Sequence, residues 1–141
     1  MTTARTAVDF GLVVLIWLVQ LIIYPSFRYY SPAELAMWHP KYSNLITLIV
    51  GPLMLAQVGL VGWDVLNRFS WLAIVSAGLV GLMWASTVFQ AIPIHNAIAA
   101  GNASPETLSR LVSINWVRTV GWTLVFGLGL WERVGVDSDS G

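Results

Sequence analysis

Asn115, Arg118, Thr119 and Trp122 stand at i, i+3, i+4 and i+7, so a helix carries them in one stripe. A guanidinium beside an amide and a hydroxyl can hold an anion or a carbonyl oxygen through charge-assisted hydrogen bonds. A second constellation precedes it: Trp84, Thr87, Gln90 and His95, with Pro93 between the last two. The first half of the chain adds Gln20, Tyr24, Arg28, His39 and Tyr42. An imidazole is the side chain best suited to give or take a proton near neutrality. These residues suit a small or amphipathic ligand with an anionic or carbonyl group, with one histidine as acid or base. An alternative is redox chemistry, with His39 and His95 as axial ligands of haem b or as a quinone site. A third reading is non-enzymatic: a membrane scaffold or small subunit whose polar side chains only lock helices together.

The elements that must position these groups are helices. Apolar runs cover roughly 8–24, 46–63, 71–94 and 112–131, separated by short polar connections. A bilayer core needs about 20 helical residues, so each run can span. The chain has 141 residues, 57% hydrophobic and 10% charged. Soluble domains are roughly a quarter charged, and this contrast selects a membrane protein. The first run resembles a signal peptide, but no small-x-small cleavage site follows it and three more spans do; it is read as a retained helix. The expected fold is all-α, a single domain over 1–141. It is a transmembrane up-down four-helix bundle with a short interfacial helix before the second span.

Local signals fix the details. The first helix is expected over 7–27, with Trp17, Gln20, Tyr24 and Arg28 on one stripe and Pro25 interrupting its ladder. Ser31-Pro32 with Glu34 is an N-cap with proline at the first helical position. Pro40 should kink or split the helix that follows. His39, Tyr42, Ile46, Leu53 and Gln57 then lie within roughly 40° of one direction on an ideal helix. On the third helix an ideal geometry separates Gln90 from His95, and Pro93 should rotate the last turn. Ser104-Pro105-Glu106 repeats the Ser-Pro-acid start, which hints at a duplicated hairpin. Gly78, Gly81, Gly121, Gly127 and Gly129 suit close packing within or between chains.

Arg118 carries the sharpest argument. The clean apolar run 120–131 is too short to span, so the fourth helix must draw 112–119 into the membrane. An arginine at mid-bilayer costs about 2.5–3.5 kcal/mol, less near the edge, and such residues usually face a bundle interior or a wet cavity. In an up-down bundle the end of helix 1, the start of helix 2, the end of helix 3 and the start of helix 4 share one leaflet. The named polar residues and Asn96 all fall there. The opposite half is expected to hold almost no polar side chain except Gln57. Trp17, Trp84 and Trp122 should floor the polar vestibule, while Trp38, Trp63, Trp71 and Trp131 read as belt residues.

Several classes are set aside. There is no cysteine, so thiol exchange, cysteine-ligated zinc and iron–sulfur clusters are excluded. Net charge is zero, and nothing points to nucleic acid. No nucleophile constellation, phosphate loop or carboxylate pair supports hydrolysis or phosphoryl transfer.

Trp84-x-Ser86-Thr87-x-x-Gln90-x-x-Pro93-x-His95 is followed by Leu111-Val112-x-x-Asn115-Trp116-x-Arg118-Thr119-x-x-Trp122-Thr123. With Tyr24-Pro25-x-Phe27, His39-x-x-Tyr42 and Gly51-Pro52-x-Met54, these runs resemble a family of small bacterial four-span integral membrane proteins. The resemblance covers nearly the whole chain. It implies the bacterial inner membrane and carries over no catalytic role. Relatives in that family hold an acidic residue near position 57; Gln57 here argues against a proton relay at that point. Expected partners are membrane lipids, a small or lipid-like ligand and a second copy of the chain. With Arg118 set aside, cationic residues are balanced across the two faces. Reserving Arg28 for a site places both termini in the cytoplasm.

Overall fold

The structure is a computed structural model and describes residues 3–138. It contains four long helices: α1 (Thr3–Tyr29), α2 (Pro32–Arg68), α3 (Trp71–Ala99) and α4 (Pro105–Ser138), with no strand among the described residues. Each is long and apolar enough to cross a membrane. Packed together, they form an all-α up-down bundle, the architecture of an integral membrane protein. α1 packs on α2 and α4, and α3 packs on the same two, so the helices form a square with sequential neighbours adjacent. One end, the loop end, holds the 30–31 and 100–104 connections. The other, the termini end, holds the start of α1, the far end of α4 and the 69–70 connection.

The caps are where the sequence places them. Ser31 Oγ accepts from Glu34 N at 3.3 Å and Glu34 Oε2 accepts from Ser31 N at 2.8 Å, a reciprocal capping box. Ser104 Oγ accepts from Thr107 N at 3.2 Å and starts α4. Ser70 caps α3 through Ala73 N and donates to Glu132 Oε1 at 2.9 Å, tying α3 to the far part of α4. Gly101 has φ +87°, a left-handed position that ends α3 and that a side chain would strain.

The prolines act in two ways. α2 runs unbroken through Pro40 and Pro52, so the segment expected as a separate interfacial helix is the first part of α2. The stripe His39, Tyr42, Ile46, Leu53, Gln57 survives both prolines: His39, Tyr42 and Gln57 are buried, and Ile46 and Leu53 are half-buried. In α1 and α3 the proline is accommodated upstream. Val19–Ile23 and Thr87–Ala91 are π-helical, with Tyr24 N donating to Val19 O and Ile92 N to Thr87 O. Pro25 and Pro93 each follow two residues later. A proline ring clashes with the carbonyl four residues back, which is Leu21 or Phe89, inside the widened turn. The extra residue in that turn rotates everything downstream by roughly 100°. Both halves of the chain therefore share π turn, proline, loop, serine cap and long helix.

Of the glycines expected at close contacts, Gly121 is one: a Cβ there would strike the Met83 side chain. Gly78, Gly81 and Gly127 would meet nothing within 4 Å. The core cluster at the loop end includes Leu12, Phe27, Leu35, Met83, Ile98 and Leu111, and a smaller one joins Val61, Val80 and Val125.

Candidate functional site

The stripe on α4 is buried as its spacing requires. Asn115, Arg118, Thr119 and Trp122 are all under a tenth exposed. Their partners come from α1, where the π turn brings Gln20 and Tyr24 to the same side as α4. Gln20 Oε1 accepts from Asn115 Nδ2 at 2.9 Å and from Thr119 Oγ1 at 3.1 Å, while Gln20 Nε2 donates to Val112 O at 3.2 Å. Asn115 Oδ1 accepts in turn from an Arg118 nitrogen. Gln20, Asn115 and Thr119 thus form a saturated bracket behind the guanidinium.

In front of it runs a chain of four side chains from all four helices. Arg118 Nη2 donates to Tyr24 Oη at 3.3 Å. Tyr24 Oη lies 2.9 Å from His95 Nε2, and His95 Nδ1 lies 2.8 Å from His39 Nε2. Proton positions follow from the partners. A guanidinium can only donate, so the phenol oxygen accepts from it. With both rings neutral, every hydrogen between Arg118 and His39 Nε2 is used if the phenol donates to His95 Nε2. His95 then donates from Nδ1 to His39 Nε2, and His39 carries its own proton on Nδ1. That last atom is buried with no partner.

A cavity of about 500 Å³ opens beside this chain, within the range of small-molecule sites. Its wall includes Tyr24, His39, Tyr42, Ser43, Trp84, Thr87, His95, Arg118 and Trp122, with aliphatic groups such as Leu12, Ile16, Val50 and Met54. Four of these residues leave a buried polar atom without a partner: His39 Nδ1, Ser43 Oγ, Trp84 Nε1 and Arg118 Nε. Arg118 is the only formally charged side chain on the wall. Among the described residues, both ion pairs belong to Arg5, and no carboxylate lies within pairing distance of Arg118.

The sequence-selected residues divide into three groups. Tyr24, His39, Tyr42, Trp84, Thr87, His95 and Arg118 line the cavity. Gln20, Asn115 and Thr119 stand behind it. Gln90, Arg28 and Trp17 are elsewhere. Gln90 is exposed and accepts from Ser86 Oγ at 2.8 Å, because the helix geometry that brings His95 inward turns Gln90 outward. Arg28 is exposed and donates to Ser109 Oγ at 3.0 Å. Trp17 sits outside the cavity, donating to Thr123 Oγ1 at 3.1 Å with its ring edge-on to Trp116. Trp84 and Trp122 alone of the three expected tryptophans reach the cavity.

Ser43 is the wall residue that sequence reasoning missed. Its signal was its place one turn beyond His39, on the same side of α2. The second omission is larger. The termini-end half is far from apolar inside: Arg5, Asp9, Gln57 and Asp64 are each no more than 2% exposed. Arg5 Nη1 donates to Asp64 Oδ2 at 2.7 Å and Arg5 Nε to Asp9 Oδ2 at 3.3 Å. Asp9 Oδ1 accepts from Gln57 Nε2 at 2.7 Å, and Gln57 Oε1 accepts from Trp122 Nε1 at 3.0 Å. Trp122 thereby joins the cavity to this second network. Arg5, Asp9 and Asp64 lie near helix ends, and no spacing in the sequence brings them together.

The two histidines do not suit a haem held between them. Two axial imidazoles need about 4 Å between their nitrogens, twice a metal–nitrogen bond of roughly 2 Å. Here the facing nitrogens are 2.8 Å apart and hydrogen-bonded, and the rings stack with centroids 5.0 Å apart. A macrocycle has no place between them. Searches against protein-family models, curated proteins and solved structures found no match for this chain.

Proposed function

We propose that this integral membrane protein binds a small or amphipathic ligand bearing an anionic or carbonyl group in the loop-end cavity. The observation that carries this is the set of unpartnered polar atoms on residues of the cavity wall. A buried polar atom left without a hydrogen bond costs roughly 1–3 kcal/mol, and native structures hold few of them. Four around one cavity are best accounted for by a ligand that supplies their partners. Arg118 would hold the charge or the carbonyl oxygen, and His39 Nδ1 would donate to a second acceptor. The relay from Arg118 through Tyr24 and His95 fixes the His39 tautomer, so His39 is also the group placed to protonate a bound molecule.

The family resemblance of the sequence supports the bacterial inner membrane as its location. Arg28 lies outside the cavity, beside Ser109, so its charge counts with the loop end and the reason to place both termini in the cytoplasm falls away. A quinone stays within the ligand class, because its carbonyls are acceptors of the required kind.

The test is thermal stabilisation of detergent-purified protein by a panel of long-chain carboxylates, quinones and phospholipids. At least one should raise the melting temperature in a saturable way. The rise should vanish in Arg118→Ala and shrink in His39→Ala. Equal responses in wild type and Arg118→Ala would count decisively against the site.

A further inference from the structure

Two features of the cavity define its ligand more narrowly. The first is charge. Arg118 is 6% exposed and its identified partners are neutral, Tyr24 and Asn115. A buried cation without a counter-ion is among the costlier arrangements in a protein, and more so at membrane depth. Elsewhere in this chain a buried arginine is given two carboxylates. A neutral carbonyl would satisfy hydrogen bonds at Arg118, but only an anion would offset its charge.

The second feature is the route in. α2 packs on the first part of α3 (Trp71–Ser86) and on its last turns (Ile92–Ala99), and most of that packing lies outside the π turn Thr87–Ala91 between them. At that level the cavity wall continues outward to Thr47 on α2 and to Val88 and Ile92 on α3, all three exposed. The cavity is therefore continuous from Arg118 to the outer surface of the α2–α3 seam. That surface lies along the stretch of helix that spans the membrane. Around that opening the wall holds Val88, Ile92, Thr47 and Thr87, whose Oγ1 is already committed to Met83 O at 2.8 Å, with exposed Asn44 and Asn96 on its loop-end side. The charged end of the site is deep, at Arg118, and the opening at Val88 and Ile92 is apolar.

We infer that the occupant is a single-chain amphipathic anion, a carboxylate or phosphate monoester on an apolar chain. It enters from the membrane through the gap that the π turn of α3 leaves against α2. The head sits at Arg118 and His39, and the chain lies in the seam between Thr47 and Val88. This rests on the cavity being a ligand site, as in the proposed function, and adds the charge of the head and the direction of access.

The experiment uses the full chain in phosphatidylcholine nanodiscs. Quenching of its tryptophans is followed during titration with dibromostearate, its methyl ester, a brominated lysophosphatidic acid, and butyrate as competitor. Trp84 and Trp122 on the wall report occupancy. An anion should bind at least about tenfold more tightly than the ester. Whichever of carboxylate and phosphate monoester binds better identifies the head. Butyrate should not compete. Arg118→Met should abolish the preference of acid over ester, and Arg118→Lys should keep it. Filling the seam with Thr47→Phe and Val88→Phe should slow association about tenfold while leaving Arg118 in place.

Equal binding of acid and ester would overturn the anion and leave the broader site standing. Competition by butyrate at an affinity near that of the long chain, or an unchanged association rate in the filled-seam variant, would overturn access from the membrane. No saturable quenching by any probe would remove the site itself. If Arg118→Met does not fold, the acid–ester comparison on wild type decides alone.

Discussion

The two buried arginines make the informative contrast. Arg5, at the termini end, faces Asp9 and Asp64, and Gln57 takes the remaining reach of Asp9. Arg118, at the loop end, faces a phenol and an amide beside a cavity. Both are cations taken from water into an apolar bundle. One is compensated by the fold. The other is oriented by the fold, and no carboxylate among the described residues pairs with it. Under the proposed function, paired charge marks a structural lock and oriented, unpaired charge beside a cavity marks a ligand site.

Removing a partner separates the two regions most strongly at the lock. Arg5→Ala leaves two buried carboxylates facing each other, and breaking a buried pair costs about 3–5 kcal/mol. Reversible unfolding in mixed micelles should show a larger loss for this variant than for Gln57→Leu, Tyr24→Phe or Arg118→Met. A loss below about 1 kcal/mol would mean that water reaches this network and that it is no lock. Gln57→Leu comes next. It strands Asp9 Oδ1 and Trp122 Nε1 together, and each stranded buried group costs roughly 1–3 kcal/mol. The same variant should blue- or red-shift the Trp122 emission, since its indole loses its only identified partner.

Tyr24→Phe tests the relay. It removes one acceptor of Arg118 and the donor to His95, and interhelical hydrogen bonds in membranes are worth around 1 kcal/mol each. Stability should fall by about that amount. The nitrogen shifts of labelled His39 and His95 should both change, because the tautomer of each is set through the phenol; a change at His95 alone would break the relay. Arg118→Met has the smallest expected effect on stability, within about 1 kcal/mol of wild type in either direction. The lost hydrogen bonds are offset by removing an uncompensated buried charge. A loss matching that of Arg5→Ala would erase the contrast between lock and site.

Much of the architecture was legible in the chain. The four apolar runs, the serine caps at Ser31 and Ser104, and the stripe of Asn115, Arg118, Thr119 and Trp122 all appear in the structure where spacing puts them. The departures have separate causes. Trp17 lies away from the cavity because the π turn at Val19–Ile23 changes the register between it and Tyr24, which a constant 100° per residue cannot foresee. Gln90 stays apart from His95, as an ideal helix already places it. Of the two outcomes a proline allows inside a helix, kink or split, α2 excludes the split, since it continues through Pro40. The buried network of Arg5, Asp9 and Asp64 was not legible, because sequence shows nearness to a helix end and nothing of the facing helix that buries it.

Composition and periodicity alone determined that this chain must be a bundle of spanning helices, because an apolar run of sufficient length has no stable alternative in water. They also place Arg118 within the fourth candidate span, because the apolar run after it is too short to cross. Only the packed structure decided which arginine would meet carboxylates and which would meet a cavity. That choice depends on contacts between residues far apart in the chain, such as Arg5 with Asp64 and Tyr24 with His95, and no local pattern encodes them.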